Sequence, residues 1–219
     1  DWVDPFEAPQ LVDHEGFKVV REDLMGFGSK CRFGDILVST CRQDTLVYVQ
    51  PRYGFAGISL AYLAKKYNKK LVLFSPSQKE ISDHQAICVE MGAEMKFKRI
   101  AAMPVLNAHA KKWAEANNAF FIPLGLKHEL VTAAAVKVAH TIAETHGYPD
   151  EVWSAISTGV LQRSLQIAWT DAKFNGVAVA RNIKKGERGI AEVWSHPKAF
   201  TQNVDPQYNP PFPSAMNYD

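Results

Sequence analysis

One lysine stands out in this sequence because of its neighbours. Lys30 lies in Gly26-Phe27-Gly28-Ser29-Lys30-Cys31-Arg32, between flexible glycines and a second cation two residues on. An amine so placed can attack a carbonyl, or serve as acid and base, once its pKa is brought down. A solvated lysine in a glycine turn is the plain alternative, and Gly-Ser-Lys taken alone favours it. Ser157-Thr158-Gly159 is a second candidate. It follows a hydrophobic strand and opens a helix, where free N–H groups and two hydroxyls suit an anion such as phosphate; an ordinary N-cap is the alternative. Tyr53-Gly54-Phe55-Ala56-Gly57 is a third strand-to-helix turn. It is not a dinucleotide fingerprint, because Arg52 replaces the first glycine and Phe74-Ser75 stands where the acid is needed. His128, after Pro123-Leu124-Gly125, is placed either to line a pocket or to cap a helix. The seven histidines form no H-x-x-x-H or H-E-x-x-H pair, so no metal site is argued. No nucleophile elbow is present.

These turns need a scaffold, and the hydrophobic pattern supplies one. Residues 1–16 read as an acidic, proline-containing arm, followed by a short strand over Phe17–Val20. Phe33–Cys41 reads as a helix, with Gly34 and β-branched residues against it. From there the pattern is regular. Strands are expected over 46–49, 71–74, around Met95 and Phe97, over 119–122, over 152–156 and over Gly176–Ala180. Helices carry Ile58-Ala61-Tyr62, Ile81 to Met91, Val105 to Ala116, Val131 to Ile142 and Leu161 to Ala168. Continuous apolar runs such as Leu46-Val47-Tyr48-Val49 suit strands buried on both faces. Alternating strands and helices of this length mean an α/β fold with mostly parallel sheets, whose ligands sit at the carboxyl ends of the strands. Beyond Arg181 the chain turns polar and then proline-rich, and irregular structure is expected.

Composition sets outer limits. With 219 residues the chain can hold one large domain or two small ones. A net charge of +2 gives no strong electrostatic footprint, so nucleic acid is neither required nor excluded. Cys31, Cys41 and Cys88 lack zinc spacing and read as reduced thiols of a cytosolic protein. No apolar run approaches the roughly 18 residues of a membrane span. The start at Asp1 allows a trimmed N-terminus, and the end at Tyr218-Asp219 is abrupt.

Taken in order, the turns resemble fold-type II pyridoxal-phosphate (PLP) enzymes, the tryptophan synthase β-like superfamily. Gly28-Ser29-Lys30-x-Arg32 is similar to the G-[GS]-[NS]-K-x-R segment carrying the Schiff-base lysine in aminocyclopropane-carboxylate deaminase and D-cysteine desulfhydrase. Gly54 to Tyr62 resembles the S-G-N-T-G-I-A-L-A-Y helix start of cysteine synthases. Met91-Gly92-Ala93-Glu94 is similar to the L-G-A that ends the next helix. Phe121 to His128 resembles the I-P-x-G-x-x-x-H turn of the deaminase group. Ser157-Thr158-Gly159 sits where the superfamily's glycine-rich loop holds the cofactor phosphate. The likeness covers roughly residues 17–180.

That resemblance implies a shortened two-domain fold: a larger PLP-binding domain of residues 1–43 and 124–219, and a smaller α/β domain of residues 44–123 inserted in it. It implies PLP bound covalently at Lys30, with Ser157, Thr158 and Gly159 on its phosphate and Ser214 as the candidate partner of its pyridine nitrogen. Arg32, Tyr53, Gly54, Phe55 and His128 would face the substrate, and Arg32 would help lower the Lys30 pKa. It also implies a homodimer in the cytoplasm. Phe55 replaces the superfamily's asparagine, Tyr53 replaces its serine, and the Gly159 loop lacks the usual run of glycines. These departures point away from ordinary deaminase or synthase chemistry. The expected activity is that of a PLP-dependent lyase on an amino-acid group. The compact length also resembles phage PLP enzymes that act on amino-acid adducts of thymidine in DNA, which implies decarboxylation. The alternatives are deamination or β-elimination of a free small amino acid, a nucleotide-binding or phosphoribosyl-transfer enzyme without PLP, and a binding module without activity.

Overall fold

The computed structural model describes residues 2–100, 102–179, 183–195, 197–199, 202 and 205–214. The chain divides into two compact units, one of Asp1–Phe6 with Leu24–Val131, the other of Glu7–Asp23 with Thr132–Asp219.

The first unit is built on a parallel sheet. Its strands are β3 (Thr45–Val49), β4 (Lys70–Pro76), β5 (Glu94–Lys98) and β6 (Phe120–Phe121), in the order β5-β4-β3-β6. Leu46 through Val49 and Leu71 through Phe74 are buried throughout, as their unbroken apolar runs require. Val47, Val49, Val72 and Phe74 pack on Leu106, Ala110 and Ala114 of helix α4 (Met103–Ala116). Full burial of each large side chain contributes roughly 1.5–3 kcal/mol relative to exposure. On the other connections lie α2 (Ala56–Lys66) and α3 (Asp83–Glu90). Lys65 and Lys66 suit the carboxyl end of α2, where the helix dipole is negative. α3 begins with a capping box formed by Ser82 and Gln85.

Helix α1 (Ser29–Thr40) belongs to this unit. It begins four residues before the expected Phe33, so Lys30 sits in its first turn. Gly34 does not break it. A Cβ there would lie 2.9 Å from Leu126 Cδ2 and 3.3 Å from Leu63 Cδ1, so the glycine lets α1 lie close to α2 and to the 123–128 turn. The first unit thus takes in α1 and the 123–128 turn along with the sheet.

The second unit contains the hairpin β1 (Leu11–His14) and β2 (Phe17–Val20), antiparallel, with Glu15 and Gly16 both at positive φ in the turn. Residues 11–14 are thus a strand, not part of an arm. Helix α5 (Glu129–His146) leads to β7 (Glu151–Ile156), α6 (Val160–Ala168), β8 (Lys173–Ala178), α7 (Lys185–Arg188) and β9 (Glu192–Ser195). The sheet is parallel, in the order β7-β8-β9. Ala139, Ala143, Val152, Ile156, Trp169 and Phe174 form its core. The strand expected over Gly176–Ala180 starts earlier, at Lys173, and Ala180 lies outside the described residues. Strand β9 and the short α7 correct the expectation of irregular structure beyond Arg181. Among the described residues no helix is long and apolar enough to cross a membrane.

Candidate active site at the Lys30 turn

The chain runs β3, β4, β5 outward in one direction and then returns to place β6 on the other side of β3. That reversal is a topological switch point, and the crevice outside the carboxyl ends of the two strands is where open α/β sheets bind ligands. The turns leaving β3 and β6 are the 50–57 and 122–128 segments. Gly125 N–H donates to the Tyr48 hydroxyl of β3 at 3.4 Å, which ties the second of them to the first strand.

The Lys30 turn is brought to the same end of the sheet. A Cβ on Gly28 would stand 3.5 Å from Phe55 Cβ and 3.7 Å from Ser59 Oγ, and Gly28 itself has φ 76°. The Ser59 hydroxyl donates to the Phe27 carbonyl. The Phe27 ring stacks on Tyr62, with centroids 4.2 Å apart. Gly28 of the Lys30 turn thus lies against Phe55 and Ser59 of the strand-to-helix turn after β3.

Lys30 is half-buried, and desolvation pushes its pKa down from the ordinary lysine value. Among the described residues no hydrogen bond or ion pair holds its amine. A lysine removed from water without an anionic partner is poised as a neutral nucleophile or base. Arg32 is not the cause of that shift, because burial alone accounts for it. The Arg32 side chain is buried, paired with Asp4, and lies against the Phe6 ring, its guanidinium carbon 5.7 Å from the centroid. Asp35, also buried, accepts from Trp2 Nε1 at 3.1 Å, Lys66 Nζ at 2.9 Å and the Tyr67 hydroxyl at 2.6 Å. Residues 2–6 are in this way fastened to α1 and α2. Asp4→Asn, which removes the carboxylate from a buried guanidinium, is expected to lower stability by about 2 kcal/mol or more in urea melts.

The remaining candidates are placed as follows. Tyr53 and Phe55 are half-buried, neither in the core nor fully exposed. The Arg52 guanidinium lies over the Tyr53 ring at 5.6 Å. Gly54 is buried, and both sides of its residue are used: its N–H donates to His84 Nδ1 at 3.1 Å and its carbonyl accepts from Gln50 Nε2 at 2.9 Å. His128 Nδ1 accepts the Leu130 N–H at 3.2 Å, so its imidazole caps the start of α5. Ser157, Thr158, Gly159 and Ser214 belong to the second unit. Gly159, φ 76°, is the residue from which α6 starts, and a Cβ there would fall 2.0 Å from the Glu187 carbonyl oxygen. Ser157, Thr158 and Ser214 are half-buried.

His84 and Gln50 were not singled out from the sequence. Their only signal there was position: Gln50 ends the first buried strand, and His84 follows the Ser82 cap. The thiols offer no chemistry of their own at this site. Cys31 and Cys88 are buried, and burial pushes Cys88 up to about 12, so it stays a thiol. Among the described residues no group of three or more His, Cys, Asp or Glu side chains is arranged to hold a metal ion.

No protein-family model and no curated protein matches the chain. Solved structures do. The chain is similar to an ACC deaminase homologue with a TM-score of 0.72 and 18% identity, over 85% of this chain and 68% of that one. It is similar to the processed form of threonine deaminase isoform 2 from Solanum lycopersicum with a TM-score of 0.63 and 14% identity, over 80% and 57% of the two chains. A pyridoxal 5'-phosphate-dependent aspartate racemase matches with a TM-score of 0.59 and 19% identity, over 74% of this chain and 50% of that one. The chain therefore has the fold of the fold-type II PLP enzymes. It spans about two thirds of the first of these structures, and 57% and 50% of the other two.

Proposed function

We propose that the protein is a PLP-dependent lyase acting on an amino-acid group. One observation carries the reading: a half-buried, desolvated Lys30 stands at the switch-point end of a sheet in a chain with the fold of PLP enzymes. The residues fit the cofactor, since a desolvated amine binds an aldehyde readily and a helix start accepts a phosphate. Lys30 would hold the cofactor covalently, Ser157, Thr158 and Gly159 its phosphate, and Ser214 its pyridine nitrogen. Bound PLP supplies an electron sink for charge at the substrate Cα. The chain's own contributions are to orient the amino-acid group along the 53–57 turn, to exclude water with Phe55 and Tyr53, and to move a proton at Cα with the Lys30 amine.

The finer reading is decarboxylation of an amino acid carried on a modified thymidine in DNA. Two features of the turn support it. The Phe55 side chain offers no hydrogen bond, and the Gly54 N–H is already given to His84. A carboxylate set against such a turn is poorly solvated, which favours its departure as carbon dioxide over its retention. The test is incubation of the cofactor-loaded protein with free amino acids and with aminoacylated thymidine DNA. Carbon dioxide from the DNA substrate is expected. Keto acid and ammonia from free amino acids, without carbon dioxide, would sink the decarboxylase reading and leave the deaminase one. Absence of a protein-bound visible band, once unbound PLP has been removed, would favour the nucleotide-binding alternative. The proposed assembly is a homodimer, which sedimentation equilibrium measures directly.

The phosphate assignment has its own test. Thr158→Asp puts a carboxylate just before α6. A negative charge there suits the helix dipole, so the empty protein is expected to keep its melting temperature or gain slightly, by about 0.5 kcal/mol. The same charge repels a phosphate, and the dissociation constant for PLP is expected to rise at least about tenfold. A plain N-cap predicts no change in PLP affinity.

A further inference from the structure

We propose that His84 is a positioning residue for the 53–57 turn: its neutral imidazole holds the Gly54 amide through Nδ1, and the turn keeps its form only while that ring is uncharged. What this means for catalysis rests on the function proposed above, but the hydrogen bond and its loss on protonation do not.

The geometry is specific. Gly54 has φ 141°, a backbone region that side-chain-bearing residues rarely adopt, so the turn needs external support. Support comes from three side chains on neighbouring elements. Gln50 Nε2 donates to the Gly54 carbonyl at 2.9 Å, the Ser82 hydroxyl donates to the Arg52 carbonyl at 2.6 Å, and His84 Nδ1 accepts the Gly54 N–H at 3.1 Å. The His84 ring also leans on Phe55, with centroids 4.8 Å apart. His84 is held in place in turn. Its helix start is capped by Ser82 and Gln85, and Gln85 Nε2 donates to the Ser75 hydroxyl at the end of β4 at 2.8 Å.

Of the three supports, only His84 can be switched off by a proton. Since Nδ1 accepts, the proton of the neutral ring is on Nε2. A second proton would put an N–H at Nδ1, facing the Gly54 N–H, and the two donors would part. The charged and titratable groups around it are few. Asp83 on its own helix favours the charged ring, and burial, the larger effect, opposes it, so the pKa lies below the ordinary histidine value. The turn itself brings the exposed Arg52 and the Tyr53 phenol. The segment packed on Phe55 brings Lys30. α2 brings no charged side chain before Lys65, and α3 adds the buried Cys88 thiol. With the folded pKa depressed, the contact is complete at neutral pH and is lost as pH falls through that lowered value.

The experiment is an NMR titration of the cofactor-free protein, wild type, His84→Asn and His84→Leu. Asparagine keeps an acceptor where Nδ1 stands; leucine keeps bulk without one. The wild-type Gly54 amide proton is expected to shift with the His84 imidazole titration. His84→Asn should keep Gly54 protected from solvent exchange with no titration between pH 5 and 8, where the unperturbed histidine range lies. In His84→Leu the protection should fall by at least about tenfold. A Gly54 shift that ignores the His84 titration, or equal protection in all three proteins, overturns the proposal. Should the leucine variant fail to fold, His84→Asn alone decides: a protected, non-titrating Gly54 supports the role, and an unprotected one refutes it. Failure to bind PLP in the same samples would count against the proposed function and leave the His84 result untouched.

Discussion

Lys30→Ala protein mixed with PLP and then freed of unbound cofactor is expected to be colourless, and borohydride is expected to fix no cofactor to any peptide. In the wild type the same treatment should label one peptide, that of residues around Lys30. The reason is the environment of the amine. It is desolvated, and among the described residues it has no anionic partner, so a larger fraction is neutral at working pH than for a surface lysine. Activity on any amino-acid substrate should fall by roughly 10²–10⁴-fold or more, because a proton carrier is lost with the covalent link. A label on another lysine would end the assignment. A second readout needs no cofactor. The folded-state pKa of Lys30 is depressed, so the folded protein disfavours the charged amine, and wild-type stability should rise with pH between that lowered value and the ordinary lysine value. Lys30→Ala lacks this slope. Urea melts of both proteins at neutral and alkaline pH should therefore show wild type gaining on the variant as pH rises.

Gly159→Ala is expected to cost about 3 kcal/mol or more in the stability of the second unit, as a steric overlap at a left-handed position does. A Cβ there would meet the Glu187 carbonyl oxygen at 2.0 Å, with the Glu187 carbonyl carbon at 2.7 Å. Both neighbours are backbone, so relief requires α7 to move away from the start of α6. Denaturant melts followed by the fluorescence of the tryptophans around β7–β9 measure it. An unchanged midpoint would show that α7 does not lie against Gly159. The consequence for the phosphate site is practical: weak cofactor binding by any Gly159 variant follows from the clash alone, so Thr158→Asp is the informative substitution there.

Much of the scaffold was legible in the sequence because buried parallel strands have few ways to be written. Leu46-Val47-Tyr48-Val49 and Leu71-Val72-Leu73-Phe74 leave no polar face, and the turns after them carry glycine, proline or a serine cap. Gly92 and Gly147, both at positive φ, follow the ends of α3 and α5. The order of strand-to-helix turns was enough to suggest the fold that the solved structures share.

Other features were set by partners distant in the chain. Gly34 looked like a helix breaker, yet α1 runs through it because Leu63 and Leu126 leave no room for a side chain. Strand β9 has only four residues, two of them polar, and becomes a strand by pairing with β8. Arg32 stands two residues from Lys30 in the sequence, and Asp4, 28 residues away, engages it. His84 carried no motif, and only the fold of β4 into α3 sets its Nδ1 against Gly54, 30 residues earlier. Local pattern determines which segments bury an apolar face, because that depends on each segment's own periodicity. Which polar group meets which depends on where separate segments come to rest, and that only the tertiary structure decided.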